Sequence, residues 1–116
     1  MARILSVSYD EALLHTRRLL LEARGYSATS AFGLKEGLYH CKRGGFDLFI
    51  LSHSIPKADK ELLIYEFRAS CPAPIISLCL VSEPEAEGAD YYIEPDPKSL
   101  LELIAKILGV AKARSA

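Results

Sequence analysis

The sequence predicts an α/β fold built on a doubly wound, five-stranded parallel sheet in the order 2-1-3-4-5, and three observations predict it. Strand-like apolar runs alternate with amphipathic helical segments along the whole chain, the pattern of a parallel sheet wrapped by helices on both faces. The run Leu48-Phe49-Ile50-Leu51 has no polar alternation, as expected of a strand buried on both faces. It lies between Gly44-Gly45 and Ser52-His53-Ser54-Ile55-Pro56, so polar groups follow the strand at the carboxyl edge of the sheet, where open α/β folds place their sites.

The elements follow in order. Arg3 to Val7 is a short aliphatic strand. Ser8 and Glu11 have capping-box spacing, and Asp10 and Glu11 suit the positive end of the helix that they open. Leu13, Leu14, Leu19, Leu20 and Leu21 recur at helical spacing up to Gly25, a C-terminal cap. Tyr26 to Ser30 is a polar strand near an edge. Leu34 to Lys42 is a helix with Leu38 and Cys41 inward, stopped by Gly44-Gly45. After the central strand, Asp59 to Arg68 forms a helix with Leu62, Leu63 and Phe67 on its buried face. Pro72 and Pro74 precede the strand Ile75 to Leu80. Val81 to Glu87, acidic and interrupted by Pro84, has room for one or two helical turns. Tyr91-Tyr92-Ile93 is a short fifth strand, and Ser99 to Leu108 is a last helix with Leu100, Leu103, Ile104 and Ile107 inward.

Composition narrows the function classes. The 116 residues fit a single domain, with a core over about 2–109 and a small basic tail, 110–116, expected to fray. Lys plus Arg number 14 against 15 Asp plus Glu, a net charge of -1, so no broad attraction to nucleic acid or an anionic membrane is expected. Cys41, Cys71 and Cys79 are odd in number and far apart, which indicates reduced thiols rather than a disulfide framework or zinc site. No run approaches the ~20 apolar residues of a membrane span, and the expected location is cytoplasmic. His15, His40 and His53 share no metal-ligand spacing and read as surface or capping residues. The basic pairs Arg17-Arg18 and Lys42-Arg43 read as solvated faces, and no phosphate-binding glycine loop is present.

Several short motifs stand in a fixed order: Ile4-Leu5-Ser6-Val7 before a helix, Phe46-Asp47-Leu48-Phe49-Ile50-Leu51 followed by Ile55-Pro56, Asp59 after that proline, Pro74-Ile75-Ile76, and Gly88-Ala89-Asp90-Tyr91-Tyr92. In this order the chain resembles the response-regulator receiver family, the flavodoxin-like phospho-acceptor domains of two-component signalling. The resemblance implies a site with two acids after the first strand for magnesium, an acceptor Asp after the third, a hydroxyl after the fourth and a Lys after the fifth. At those positions stand Ser8 and Tyr9, Ser52, Cys79, and Glu94 or Pro95. All five depart from the pattern.

Magnesium favours carboxylate and water oxygens in octahedral geometry, and Ser8, Tyr9 and Ser52 supply no charge, so no cofactor is expected. Phosphoryl transfer relies on metal and cationic stabilisation, absent from these positions. Asp10 could turn toward a metal role or serve the first helical turn. His53 adjoins Ser52 but points to the opposite face of a strand, which makes it a poor base. The stretch between Cys79 and Gly88 is shorter than in receivers, which leaves a shortened fourth helix and uncovers apolar surface on the fourth and fifth strands. Tyr92 matches the aromatic residue on the family's output face.

The expected function is therefore a receiver-like signalling domain, a pseudo-receiver independent of phosphorylation and without enzymatic activity. It works through contacts with a signalling protein, with a histidine kinase, an output protein and a second copy of the chain as candidates. Two alternatives remain open: a phospho-acceptor that uses Ser52 or Asp10, and a small ligand binder or enzyme using the edge around Ser8, Ser52, His53, Cys79 and Glu94.

Overall fold

A computed structural model describes the backbone of residues 2–115 and the side chains of residues 2–109. The order is β1 (Arg3–Ser8), α1 (Glu11–Ala23), β2 (Ser27–Phe32), α2 (Gly33–Arg43), β3 (Leu48–Leu51), α3 (Lys57–Ser70), β4 (Ile75–Leu78), β5 (Tyr91–Ile93) and α4 (Pro97–Ser115). The strands pair in the order β2-β1-β3-β4-β5, every pair parallel. The expected fraying of 110–116 lies outside the residues whose side chains are described. No helix among the described residues is long and apolar enough to cross a membrane.

Alternation along the strands divides the core into two layers. Leu5, Val7, Phe49 and Leu51 face one way and pack with Cys41 of α2 and Leu63 and Phe67 of α3. Ile4, Leu48 and Ile50 face the other and pack with Leu21 of α1 and Leu100, Ile104 and Leu108 of α4. In the first layer the Phe49 and Phe67 rings meet at 4.5 Å between centroids. A Cβ on Gly37 would stand 2.8 Å from Leu63 Cδ2, so glycine is what lets α2 and α3 close together.

Several expectations change in detail. The N-cap of α1 is Asp10, whose carboxylate accepts from Leu13 N–H at 3.1 Å, because Ser8 is still paired in β1 and its hydroxyl is engaged elsewhere. Leu19 and Leu62 are exposed; Arg17 and Lys60 occupy the buried stripes beside them. Arg17 is therefore no part of a solvated face. β4 ends at Leu78, and no helix forms between it and β5. Nor is β4 uncovered there, since Ile75 to Leu78 are all buried; Ala86 of the connecting segment packs into the first core layer. Exposure falls instead on Leu80, Val81, Tyr91 and Tyr92.

Arg68 organises this connection. Its guanidinium donates to Ala73 O at 3.1 Å, Gly88 O at 3.1 Å and the Asp90 carboxylate at 2.7 Å. Asp90 in turn accepts from Ile75 N–H at 2.7 Å. One α3 side chain thus fixes both the start of β4 and the entry to β5.

Cys41 carries a pH signature of the core. Its thiol is fully buried and faces Leu63 O at 3.8 Å; burial, then Cys71 and Glu66, push its pKa from 9.0 up to about 12. Above pH 9 the unfolded chain sheds this proton and the folded one keeps it, so this contribution is complete below pH 9 and is lost toward pH 12. Urea unfolding at pH 10 should give a free energy about 1 kcal/mol below that at pH 8 from this group, and Cys41→Ala should flatten that slope.

Candidate functional site at the carboxyl edge of the sheet

β1 and β3 lie side by side in the centre of the sheet, so the residues that follow them share one edge. Ser8 and Ser52 are both fully buried there. Ser54, three residues past the end of β3, joins them: its hydroxyl lies 3.2 Å from Ser8 Oγ, donates to Ser52 Oγ at 3.3 Å and accepts from Tyr9 N–H at 3.0 Å. Ser8 Oγ also accepts from Asp10 N–H at 3.0 Å and donates to Asp10 O at 3.1 Å. The hydroxyls form a chain through Ser54 that also takes up the adjoining backbone of Tyr9 and Asp10. A turn from Ile55 N–H to Ser52 O closes the segment at 3.2 Å.

The flanking side chains point away from this cluster. Asp10 spends its carboxylate on the α1 cap. The Tyr9 hydroxyl donates to the Asp59 carboxylate at 2.9 Å, and burial together with that carboxylate raises the phenol's pKa.

On the other side lies a cleft of about 300 Å³ lined by His53, Ser54, Lys57, Lys60, Cys79 and Glu83 among others. Lys60 is its buried cation. Only 5% exposed, it sends its ammonium to Leu78 O at 2.6 Å and to Ser77 Oγ at 3.1 Å. Burial lowers its pKa, while Cys79 and Glu83 act in the opposite sense. Burial likewise raises the Cys79 thiol, helped by Glu85 and other acids and opposed by Lys60. Cys79 N–H pairs with Ile93 O at 2.9 Å, which holds β4 and β5 together just before Glu94.

Of the residues expected at the site, Ser8, Tyr9, Asp10 and Ser52 share the β1–β3 edge, and Cys79 and Glu94 stand on the β4–β5 side. Tyr92 belongs to neither group: its hydroxyl accepts from Ala89 N–H at 3.1 Å, within its own turn. His53 lines the cleft with its Nδ1 buried and unpartnered, and forms no hydrogen bond to Ser52. Sequence reasoning missed Ser54, Ser77 and Lys60. The sequence places Ser54 at the carboxyl edge but gives it no role, Ser77 carries no signal, and Lys60 does carry one: it precedes Leu63, Ile64 and Phe67 at helical spacing, a lysine on an apolar stripe.

No protein-family model matches the sequence, and no curated protein matches it. Solved structures do. The receiver domain protein (CheY-like) of Methanospirillum hungatei JF-1 superposes with a TM-score of 0.81 at 26% identity, over 98% of each chain. The receiver domain of the hybrid histidine kinase CckA is 28% identical, with a TM-score of 0.76 over 92% of this chain and 99% of that one. This chain has the response-regulator receiver fold and is similar to receiver domains over almost its whole length.

A third receiver, the response regulator TrrA of Thermotoga maritima, was solved with Mg²⁺ and BeF; it is 26% identical, with a TM-score of 0.78 over 92% of this chain and 99% of that chain. The residues of this chain do not fit such an ion. Serines stand at two of the positions where the family pattern has carboxylates, the Tyr9 hydroxyl is bound to Asp59, and the Asp10 carboxylate caps α1. Among the described residues no group of three or more His, Cys, Asp or Glu side chains could hold a metal ion. The hydroxyl cluster leaves no cluster of negative oxygens for a hard cation.

Proposed function

We propose that this receiver is a pseudo-receiver: it signals through protein contacts, without accepting a phosphoryl group, binding magnesium or catalysing a reaction. The closed Ser8–Ser54–Ser52 hydroxyl cluster supports this most directly. Where phosphoryl transfer needs an acceptor carboxylate, a metal and a cation in line, this edge offers three neutral hydroxyls linked through Ser54. The Lys60 ammonium reaches the neighbouring region, but its contacts are with β4.

The partner is a signalling protein of the kind that receivers serve, a histidine kinase or an output protein, met at the β5 side where Leu80, Val81, Tyr91 and Tyr92 are exposed. The test is intact mass spectrometry after incubation with acetyl phosphate and Mg²⁺. No mass gain is expected. A gain of one phosphoryl group, lost in Ser52→Ala or Asp10→Asn, would return the protein to the phosphorelay.

A further inference from the structure

The face of the sheet opposite α2 and α3 holds a second cavity, away from the carboxyl-edge cluster. It lies between α1 and α4 over the end of β4, has a volume of about 70 Å³, and is walled mainly by Leu20, Leu21, Leu78, Leu100 and Leu101. By the room that one water needs, this volume takes about five heavy atoms. Its one cation among the described residues is Arg17. Leu14, Arg17 and Leu21 form the buried stripe of α1, so the guanidinium is carried into the apolar layer and is only 9% exposed.

Arg17 makes no hydrogen bond or ion pair among the described residues, and its Nη1 is buried without a partner. Asp96 lines the same cavity, but its carboxylate is engaged by Ser99 N–H at 3.2 Å and Ser99 Oγ at 2.7 Å, where it caps α4. Buried charges are ordinarily paired, because an unpaired one loses its hydration with no return. Burial accordingly pushes the Arg17 pKa down. A planar fork of donors in an apolar wall is the complement of a carboxylate with a short hydrocarbon tail.

We propose that the α1–α4 cavity is a binding site for a short-chain alkyl carboxylate, with the carboxylate on Arg17 and the alkyl tail against Leu20, Leu78, Leu100 and Leu101. The site is independent of the carboxyl edge and does not rest on the pseudo-receiver reading. Selectivity follows from the walls. A bare inorganic anion satisfies Arg17 but gains nothing from the leucines, and an uncharged amide of the same shape gains the leucines without the ion pair.

The experiment uses the full ¹⁵N-labelled chain and titrates sodium butyrate, butyramide and inorganic phosphate to about 50 mM each, reading the backbone amides and the Arg17 Nε–H resonance. Saturable shifts at Arg17, Leu20 and Leu101 with butyrate are expected at a millimolar Kd, a scale reasonable for so small a ligand. Butyramide and phosphate should each bind at least about tenfold more weakly, and Arg17→Met should abolish the butyrate response. No saturable shift with butyrate, equal binding of butyramide or phosphate, or an unchanged response in Arg17→Met would overturn the proposal. Should Arg17→Met not fold, the ranking of the three ligands on the wild-type chain decides the matter alone.

Discussion

Ser52→Asp should destabilise the protein by about 3 kcal/mol or more at pH 7.5, although it restores the acidic residue that the receiver pattern places there. Ser52 is fully buried and its hydroxyl accepts from Ser54. A carboxylate at that point meets two serine hydroxyls and no metal ligand set, so its charge is desolvated without a partner. The sign of the pH effect follows. Burial raises the pKa of the introduced acid, the folded state then holds a proton that the unfolded state releases, and stability recovers as pH falls. Urea unfolding at pH 5 and pH 7.5 should show the deficit shrinking at the lower pH. Added Mg²⁺ should recover little, because one carboxylate is a poor donor set for the ion. Wild-type stability for Ser52→Asp at pH 7.5 would mean that the hydroxyl cluster is open rather than closed.

Lys60→Ala should be of similar size, about 3 kcal/mol, and Lys60→Met should cost about half of that. Alanine removes the donor from Leu78 O and Ser77 Oγ, both in a buried strand, and also deletes the aliphatic stem that fills the space beneath α3. Methionine keeps most of the stem and removes a charge that burial disfavours, leaving only the acceptors unserved. Comparing wild type with Lys60→Met across alkaline pH isolates the ammonium. Its folded pKa lies below the ordinary 10.5, so between those two values the unfolded chain binds more protons than the folded one. The stability advantage of wild type over Lys60→Met should therefore grow as pH rises through that window. Equal losses for the two variants, with no pH trend, would assign Lys60 a packing role alone.

The sheet was legible because its strands are unbroken apolar runs, and a run such as Leu48 to Leu51 has no other economical placement than the middle of a parallel sheet. The helices were legible as stripes, but a stripe does not say which member of a close pair lies inward. Hydrophobicity alone puts Leu62 on the buried face and counts Leu19 in the helical repeat, whereas Arg17 and Lys60 take the buried places because a long aliphatic stem can line a core while its charged end reaches a cavity or a carbonyl. The first cap was misread for a related reason: Ser8 and Asp10 are both good capping residues, and only the register of β1 against β2 shows that Ser8 is still strand. The site was legible as a set of replaced positions, Ser8, Tyr9, Ser52, Cys79 and Glu94. Its closure was not, because Ser54 and Lys60 join through tertiary contacts that no local pattern records.

The Arg68 bridge has a consequence for how stability is distributed. Where the receiver pattern has a helix, the chain from Val81 to Glu87 has neither helix nor strand, and it also forms one wall of the cleft at Glu83 and Pro84. Asp90, held from one side by Arg68 and from the other by Ile75, anchors β5 without help from that segment. Opening of the exposed stretch Val81 to Glu85, up to the buried Ala86, can therefore proceed while β5 stays in register beside β4. The cleft wall and the sheet edge then belong to separate units of local unfolding, so a partner that remodels the one leaves the other as a fixed platform.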